Sequence, residues 1–265
     1  MSTLTPMERF AFRVVSWANR GGGAALSRFW QRRVLVPAFR LFVSRRLDVH
    51  GLDRLSGIPE DASILLVANH RSFFDLFILG WILTSNPGLR RNVSFPVRAN
   101  FFYENPLGLL ICLLLSGGSM FPPFFRAASK RAFNARSLDI LIDKLRAKGS
   151  LVGFHPEGTR NKGPDPYDLL PAQPGAGELA LKARPYVVPA FINGLSNSVV
   201  AELRANARGA PRVTAVFGAP VEVPAHVGET RLSHHKRFAD TLLERIRALG
   251  AEERSLRAAA SPNRS

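Results

Sequence analysis

Two short polar strings contain residue types that could perform chemistry together. NHRSFFD at 69–75 places His70 five residues ahead of Asp75, and HPEGTR at 155–160 ends in Arg160. An imidazole beside a carboxylate can act as a general base, because the carboxylate orients the ring and stabilises the imidazolium that forms. A guanidinium binds anionic oxygens through parallel hydrogen bonds. The strings therefore offer a base with its orienting acid and a cation for an anionic substrate.

Each string directly follows an apolar run of strand length, 64–68 in the first case and 151–154 in the second. In open α/β sheets, ligands bind beyond the carboxyl ends of the strands, so both strings are expected at one edge of a sheet. Five helical residues rotate the side-chain direction by about 500°, so His70 and Asp75 do not share a helix face. The spacing instead predicts His70 in the turn after the strand, with Asp75 in the first turn of the next helix, folded back onto the imidazole.

These strings resemble the motifs of a known enzyme family. NHRSFFD is similar to the histidine-and-aspartate motif of the glycerolipid acyltransferase superfamily, and HPEGTR to its Pro-Glu-Gly-Thr-Arg block. Two further blocks fall in the same order, GGSMFPPFFR at 117–126 and VVPAFIN at 187–193. His155 departs from the pattern, since an apolar residue often precedes the proline there. The resemblance implies an α/β acyltransferase.

The resemblance also implies a mechanism. His70 would deprotonate the hydroxyl of an acceptor lipid, which attacks an acyl thioester directly, while Asp75 holds the tautomer of the imidazole. No serine or cysteine nucleophile is then needed. The oxyanion requires hydrogen-bond donors, and backbone N–H groups near Gly158 or at the helix start are candidates.

The substrate-binding residues follow from the same blocks. Arg160 is the candidate for the acceptor's phosphate, and the resemblance makes Arg126 a second contact. Thr159 would donate its hydroxyl, and Gly158 belongs to the same binding block. Glu157 would either bind an acceptor hydroxyl or orient Arg160.

The function predicted first is acyl transfer to a lysophospholipid, with 1-acyl-glycerol-3-phosphate as acceptor and acyl-CoA or acyl carrier protein as donor. Another lysolipid acceptor, an aminolipid or a glycolipid, is the alternative within this chemistry. A lipid hydrolase is disfavoured because the sequence lacks a Gly-x-Ser-x-Gly elbow. A non-catalytic basic membrane-binding protein would not need the dyad and Arg160 together. No cofactor is predicted, and no cluster has the spacing of a metal site.

The composition favours anionic partners. The chain has 36 lysine and arginine residues against 20 aspartate and glutamate residues, which gives a net charge of +16. Such a charge attracts phospholipid head groups, phosphorylated substrates or nucleic acid, but no nucleic-acid recognition motif stands out. The single cysteine, Cys112, lies in an apolar run, which fits burial and a reducing, cytoplasm-facing location.

The hydrophobic pattern predicts an α/β fold with a central, largely parallel or mixed sheet flanked by helices. The domain organisation predicted is a helical element over 1–46, an acyltransferase domain over 47–250 and a flexible tail over 251–265. The predicted strands are 46–50, 63–68, 93–97, 150–154, 186–192 and 212–217. The predicted helices of the domain are 74–85, 106–115, 127–147, 175–183 and 231–249.

The N-terminal element combines positive charge with aromatic side chains. Residues 1–46 hold nine arginines and one acid, Glu8, with phenylalanine and tryptophan interleaved. Helices are expected over 6–20 and 25–46, with the glycines at 21–23 as a flexible joint. Basic and aromatic residues on short helices favour an element in a membrane interface. The alternative is a helical hairpin packed on the core with its arginines in water.

A second apolar segment runs from 105 to 125, twenty-one residues without a charge. Pro106, the glycines at 117–118 and the prolines at 122–123 interrupt it, which leaves a helix of about ten residues, too short to span a bilayer. The sequence therefore predicts a buried or interfacial helix with a face that could admit an acyl chain. The expected location is peripheral or monotopic attachment to a membrane, on its cytoplasmic face.

Overall fold

The centre of the protein is a mixed seven-stranded sheet. The computed structural model describes residues 3–225 and 231–260. In those residues the strands are β1 (Leu47–His50), β2 (Ile64–Ala68), β3 (Asn92–Arg98), β4 (Met120–Phe124), β5 (Ser150–Phe154), β6 (Tyr186–Asn193) and β7 (Val213–Phe217). Their order across the sheet is β1-β7-β6-β2-β5-β3-β4. The predicted fold class is confirmed.

The topology brings the polar strings together. β2 lies between β5 and β6 and is parallel to both, and β3 and β4 continue the parallel arrangement beyond β5. β7 runs antiparallel to β6 and pairs in parallel with β1 at the far edge. The carboxyl ends of the five parallel strands therefore meet at one edge of the sheet, where the residues after β2 and β5 are neighbours.

Helices cover both faces of this sheet. They are α1 (Pro6–Trp17), α2 (Gly21–Trp30), α3 (Val36–Val43), α4 (Asp75–Ser85), the kinked turn α5 (Ala99–Phe102), α6 (Pro106–Ser116), α7 (Arg131–Arg146), α8 (Gly175–Ala183), α9 (Val199–Arg208) and α10 (Leu232–Ala259). None of the helices in the described ranges is long and apolar enough to cross a membrane.

The side chains of β2 show how the two layers form. Successive residues of a strand point to opposite faces. Ile64, Leu66 and Ala68 pack into the core that includes α1, α3 and α4, whereas Leu65 and Val67 pack into the core formed with α8 and α10. Every residue of β2 is buried, so the strand that carries His70 at its end is fixed from both sides.

The sequence did not predict β4, whose residues are MFPPF. Proline cannot donate to a strand ladder and is found in edge strands. β4 lies at one edge of the sheet and, among the described strands, pairs with β3 alone, with an irregular register between Phe95 and Val97. The edge position therefore accommodates Pro122 and Pro123. The strand also leads directly into the segment that contains Arg126.

Two boundaries at the termini differ from the predictions. The glycines at 21–23 form the first turn of α2 rather than a joint, and the chain turns just before them, at 18–20. The predicted tail is wrong over 251–259, because α10 continues to Ala259. Its Glu253 is buried and accepts hydrogen bonds from Tyr167 and Arg257, which attaches this last stretch to the domain. Residues 261–265 lie outside the described residues.

Helix α9 was also not predicted, because its sequence is rich in alanine and charged residues. Ser198 caps its N-terminus by accepting a hydrogen bond from the N–H of Ala201, and Gly209 ends it in the left-handed conformation. Its Glu202 is buried and pairs with the buried guanidinium of Arg46. Ser198 and Gly209 are residue types that indicate the start and end of a helix. The helix nevertheless lacks the strong apolar stripe from which the other helices were predicted.

Candidate active site

The turn after β2 is anchored before the histidine is reached. Asn69 is fully buried, and its side-chain amide donates to the carbonyl of Ile192 at 2.9 Å and accepts from the N–H of Ile192 at 2.8 Å. These bonds fix the end of β2 on β6. Asn69 thus has a structural role beside the site, and the next residue, His70, starts from a rigid base.

His70 and Asp75 have the predicted arrangement. Asp75 is the first residue of α4 and is 1% exposed, and its Oδ2 lies 3.5 Å from Nδ1 of His70. The same oxygen accepts from the N–H groups of Arg71 and Ser72 at 2.8 and 2.7 Å. Nδ1 of His70 is buried without a hydrogen bond in this state. At 3.5 Å, a small shift of the ring would let this nitrogen donate to the carboxylate.

The electrostatics of the pair leave the imidazole neutral. Burial lowers the pKa of His70 to about 3, and the nearby charges of Arg160 and Arg98 act in the same direction. Burial raises the pKa of Asp75 to about 6. At neutral pH the pair therefore combines an unprotonated imidazole with an ionised carboxylate, the state that a general base requires.

A second histidine packs on the first. The rings of His70 and His155 are parallel, with an interplanar angle of 7° and centroids 3.7 Å apart. Nδ1 of His155 lies 3.0 Å from the carbonyl oxygen of Ala68, which makes that nitrogen a donor. Burial, and then the proximity of His70, lower the pKa of His155 to about 3. His155 thus forms a neutral, fixed platform for the ring of His70.

His70, Asp75 and His155 bring possible metal-ligand atoms within 4.8 Å of one another. Imidazole binds a metal along the in-plane lone pair of a ring nitrogen. The in-plane directions of two parallel rings run side by side, so they do not converge on a single ion at the roughly 2 Å that a zinc–nitrogen bond needs. The two histidines are therefore placed as a stacked pair of rings and not as two ligands of one ion.

Glu157 is placed differently from the prediction. It is 2% exposed, and its two carboxylate oxygens accept from the backbone N–H groups of His70 at 2.7 Å and Leu170 at 2.8 Å. Both oxygens are therefore occupied inside the protein, and Glu157 contacts neither the cavity nor Arg160. Its role in the structure is to join the turn containing His70 to the loop after β5.

The other predicted binding residues lie around one cavity. Gly158, Thr159, Arg160 and Arg126 all line it. Arg160 donates to Oδ1 of Asn197 at 2.6 Å. Gly158 has a φ of +66°, a conformation suited to glycine, at the turn that leads to Thr159.

Arg98 is a third guanidinium at this cavity, and it was not predicted from the sequence. It is the last residue of β3, lines the cavity and donates to the carbonyl of Gly158 at 3.2 Å. Burial lowers its pKa, and the charges of Arg126 and Arg160 lower it further, which places three guanidinium groups close together. Its position at a third strand end was the available signal.

The cavity has an apolar part and a cationic part. Its volume is about 470 Å³, within the range of small-molecule sites. His70 lies on its wall with the arginines and Lys162. The apolar wall consists of Phe73, Leu76, Phe77, Phe95, Val97, Phe102, Met120, Phe124 and Phe125. A molecule with an anionic group and a hydrocarbon chain would match both parts.

Comparison with known proteins defines the family. Residues 46–193, more than half of the chain, match the family model described as Acyltransferase. The chain therefore belongs to this family. The resemblance to the glycerolipid acyltransferase superfamily that was predicted from the motifs is confirmed.

Two similar proteins are more specific. The chain is 30% identical over 162 residues to human 1-acyl-sn-glycerol-3-phosphate acyltransferase beta, a match that covers 61% of this chain and 51% of that protein. It thus spans about half the length of that relative. The fold resembles the 1-acyl-sn-glycerophosphate acyltransferase PlsC from Thermotoga maritima, with a TM-score of 0.52 and 19% identity over 96% of this chain and 85% of that one.

Proposed function

We propose that this enzyme transfers a fatty acyl group from a thioester to the free hydroxyl of a lysophospholipid, with 1-acyl-glycerol-3-phosphate as the acceptor and phosphatidic acid as the product. The observation that carries this proposal is the position of His70. The neutral imidazole lines the same cavity as the apolar side chains and the three arginines, and the charges of Arg160 and Arg98 act on it. A lipid with a hydrocarbon chain and a phosphate would present its intervening hydroxyl there.

The proposed reaction proceeds without an acyl-enzyme intermediate. His70 takes the proton of the acceptor hydroxyl as the oxygen attacks the thioester carbonyl carbon. The C–S bond of the tetrahedral intermediate then breaks, and the imidazolium returns its proton to the leaving thiolate. Asp75 stabilises the imidazolium in between, and a positioned base of this kind contributes about 10²–10⁴ in rate. The stacked ring of His155 keeps the imidazole in its plane.

The acceptor's phosphate is assigned to the arginines. A phosphate monoester carries up to two negative charges, and guanidinium groups bind it through paired hydrogen bonds. Arg160, Arg126 and Arg98 provide three such groups that line the same cavity. The names of the two similar proteins both specify a 1-acyl-glycerophosphate acceptor, which supports the same choice. The donor is an acyl thioester, either acyl-CoA or acyl carrier protein.

An acceptor screen tests this proposal. Purified protein would be given one acyl thioester and, in turn, 1-acyl-glycerol-3-phosphate, an uncharged monoacylglycerol, a lyso-aminolipid and a lyso-glycolipid, with thiol release as the readout. We expect the phosphate-bearing acceptor to be preferred. Equal acylation of the uncharged acceptor would exclude phosphate recognition. A preference for the lyso-aminolipid or lyso-glycolipid would favour the alternative acceptors.

Replacement of Arg160 by lysine should raise the KM for 1-acyl-glycerol-3-phosphate by about tenfold, because the charge stays but a charged hydrogen bond is lost. The KM for the thioester should change little. Steady-state kinetics with each substrate varied in turn would measure both. Arg237→Lys, at an exposed position on α10, is the matched control. An unchanged acceptor KM in the Arg160 variant would assign that residue to loop structure through its bond to Asn197.

We further propose that helices α1–α3 and α6 hold the enzyme on an anionic membrane, on its cytoplasmic face. α1 and α3 bury Phe12, Val15 and Val43 in the core, so the N-terminal element is packed on the domain. Its other side leaves large apolar side chains in contact with solvent. In this region they are Phe10, Trp17, Leu26, Phe29, Leu41, Leu107, Leu110 and Leu114. Exposed apolar residues beside the exposed arginines of this element suit a membrane interface, whereas Arg46 is buried and does not contribute.

Replacement of the exposed Leu26 and Phe29 by serine should reduce flotation with anionic vesicles while leaving the core intact. Each side chain is 60% exposed, so its loss affects folding little. A matched double variant, Tyr186→Ser with Leu232→Ser, removes exposed apolar residues elsewhere and should float like wild type. Binding should also weaken as salt rises, because the arginine contribution is screened. Equal flotation of both double variants would remove α2 from the membrane contact.

A further inference from the structure

A second cavity lies at the opposite edge of the sheet from the candidate active site. It is lined by the first residues of β3 and β5, including Ser94 and Ser150, whereas the active site is formed beyond the last residues of these strands. Its volume is about 220 Å³. The turn before α2 and α2 itself form the other wall, so the cavity separates the N-terminal helices from the domain.

Polar and basic side chains line this cavity beside the small apolar residues Ala18, Ala24, Val93, Ala147 and Val152. Three basic side chains line it, Lys144, Arg28 and Lys148, and no aspartate or glutamate of the described residues does. Lys148 has an acidic partner outside, the exposed Asp61. Arg28, and Arg20 close by, make no side-chain hydrogen bond or ion pair with any residue of the described ranges. The cavity is therefore strongly positive without an internal counter-charge.

Lys144 is the central group. Its ammonium donates to Oδ1 of Asn19 at 2.8 Å and to Oγ of Ser94 at 3.0 Å, which uses two of its three N–H bonds. Among the described residues it has no carboxylate partner. Burial, assisted by the charge of Arg20, lowers the pKa of Lys144 to about 8. A largely buried cation without a counterion is unfavourable, and an anion in the cavity would remove that cost.

Asn19 is held in place for this contact. Its amide nitrogen donates to the carbonyls of Val15 and Gly118, both at 2.8 Å, so its oxygen is directed at the ammonium of Lys144. The hydrogen bonds to Asn19 and Ser94 leave one N–H of Lys144 without an acceptor among the described residues, and its ammonium also lies 5.8 Å from the centre of the Phe121 ring. Two basic side chains from different helices, Lys144 and Arg28, beside one small cavity are the elements of a phosphate site.

We propose that this cavity binds the phosphate of a phosphomonoester, with Lys144 on α7 and Arg28 on α2 as its cationic ligands. The volume admits a head group but not a whole lipid, and the exposed Leu26 and Phe29 of α2 lie on the same helix as Arg28. The phosphate could therefore belong to a membrane lipid or to a free phosphate compound. In either case the ligand would bridge the N-terminal helices and the domain. This inference does not depend on the proposed acyl transfer.

Titration calorimetry with glycerol 3-phosphate tests the site in the full chain. A background with Arg98, Arg126 and Arg160 all replaced by glutamine removes the three guanidinium groups of the active site, so that binding at the second site is measured separately. On that background, Lys144→Met should weaken binding by about tenfold, the effect of losing a charged hydrogen bond. Arg28→Gln, on a different helix, should weaken it similarly and guards against a folding defect in the first variant. Lys236→Met, on α10, is the control.

The source of the phosphate is decided by flotation on phosphatidylcholine vesicles with and without phosphatidic acid. If Lys144→Met reduces the gain from phosphatidic acid and Lys236→Met does not, the ligand is a lipid head group. If the Lys144 and Lys236 variants both float like wild type while the Lys144 variant has lost glycerol 3-phosphate binding, the ligand is a free phosphomonoester. Either outcome supports the site. Unchanged glycerol 3-phosphate binding in both the Lys144 and Arg28 variants would overturn it.

Discussion

Replacement of His70 by alanine should lower the rate of acyl transfer by at least about 10²-fold, the minimum contribution of a positioned general base. The residue lies on the wall of the cavity, its pKa is lowered by burial, and Asp75 lies 3.5 Å from its Nδ1. No other described histidine except His155 borders this cavity. Nδ1 of His155 pairs with the neutral carbonyl of Ala68 rather than with a carboxylate, so an imidazolium at this ring would be stabilised less.

The measurement is thiol release from an acyl thioester in the presence of 1-acyl-glycerol-3-phosphate. His50→Ala is the matched control, because His50 lies in β1 at the far edge of the sheet. Thermal unfolding should be similar for both variants and the wild type. A His70 variant that keeps more than about a tenth of wild-type turnover would contradict its role as the base.

Replacement of Asp75 by asparagine should lower turnover by about 10³–10⁴-fold, as the loss of the equivalent carboxylate does in hydrolase triads. The amide oxygen of asparagine can still accept from the N–H groups of Arg71 and Ser72. The start of α4 should therefore survive while the negative charge is lost. The imidazolium that forms during the reaction would then have no ionised partner.

The Asp75→Asn variant should also differ from the wild type in the pH dependence of its turnover. Burial raises the pKa of Asp75 to about 6, so wild-type turnover should rise as the pH increases through about 6 and level off above it. Protonation below that pH removes the carboxylate charge that stabilises the imidazolium. The asparagine variant should lose this limb. Asp240→Asn, on the surface of α10, should keep it. A variant at position 75 with wild-type turnover and the same acid limb would show that Asp75 is not the partner of the base.

The part of the fold that sequence predicts best is the part that places the dyad. β2 and β5 are continuous apolar runs because parallel strands are buried on both faces. Their ends can be read from the polar residues that follow. The five-residue spacing of His70 and Asp75 excludes a shared helix face. That Asp75 folds back onto His70 from the start of α4 could therefore be predicted from the sequence alone.

Other features depend on tertiary context that a single sequence does not express. β4 contains two prolines and becomes a strand because the sheet offers it an edge. Glu157 has the chemistry of a ligand, yet its carboxylate is used by two backbone N–H groups from separate segments. Arg98 lies at the site only because β3, which ends at this residue, is next to β5 in the sheet. The stacking of His155 on His70 likewise requires that β2 and β5 be adjacent.

In the proposed reaction the acyl group moves from the thioester to the acceptor without an acyl-enzyme intermediate. The most direct test is to follow the acyl group with and without acceptor. Purified enzyme would be mixed with a labelled acyl thioester, and thiol release and labelled products would be followed by quenched flow and mass spectrometry. The proposed mechanism predicts no thiol burst without acceptor. With 1-acyl-glycerol-3-phosphate it predicts labelled phosphatidic acid in amounts equal to the thiol released. A stoichiometric thiol burst that leaves the label on the protein, or release of labelled free fatty acid as the main product, would contradict it.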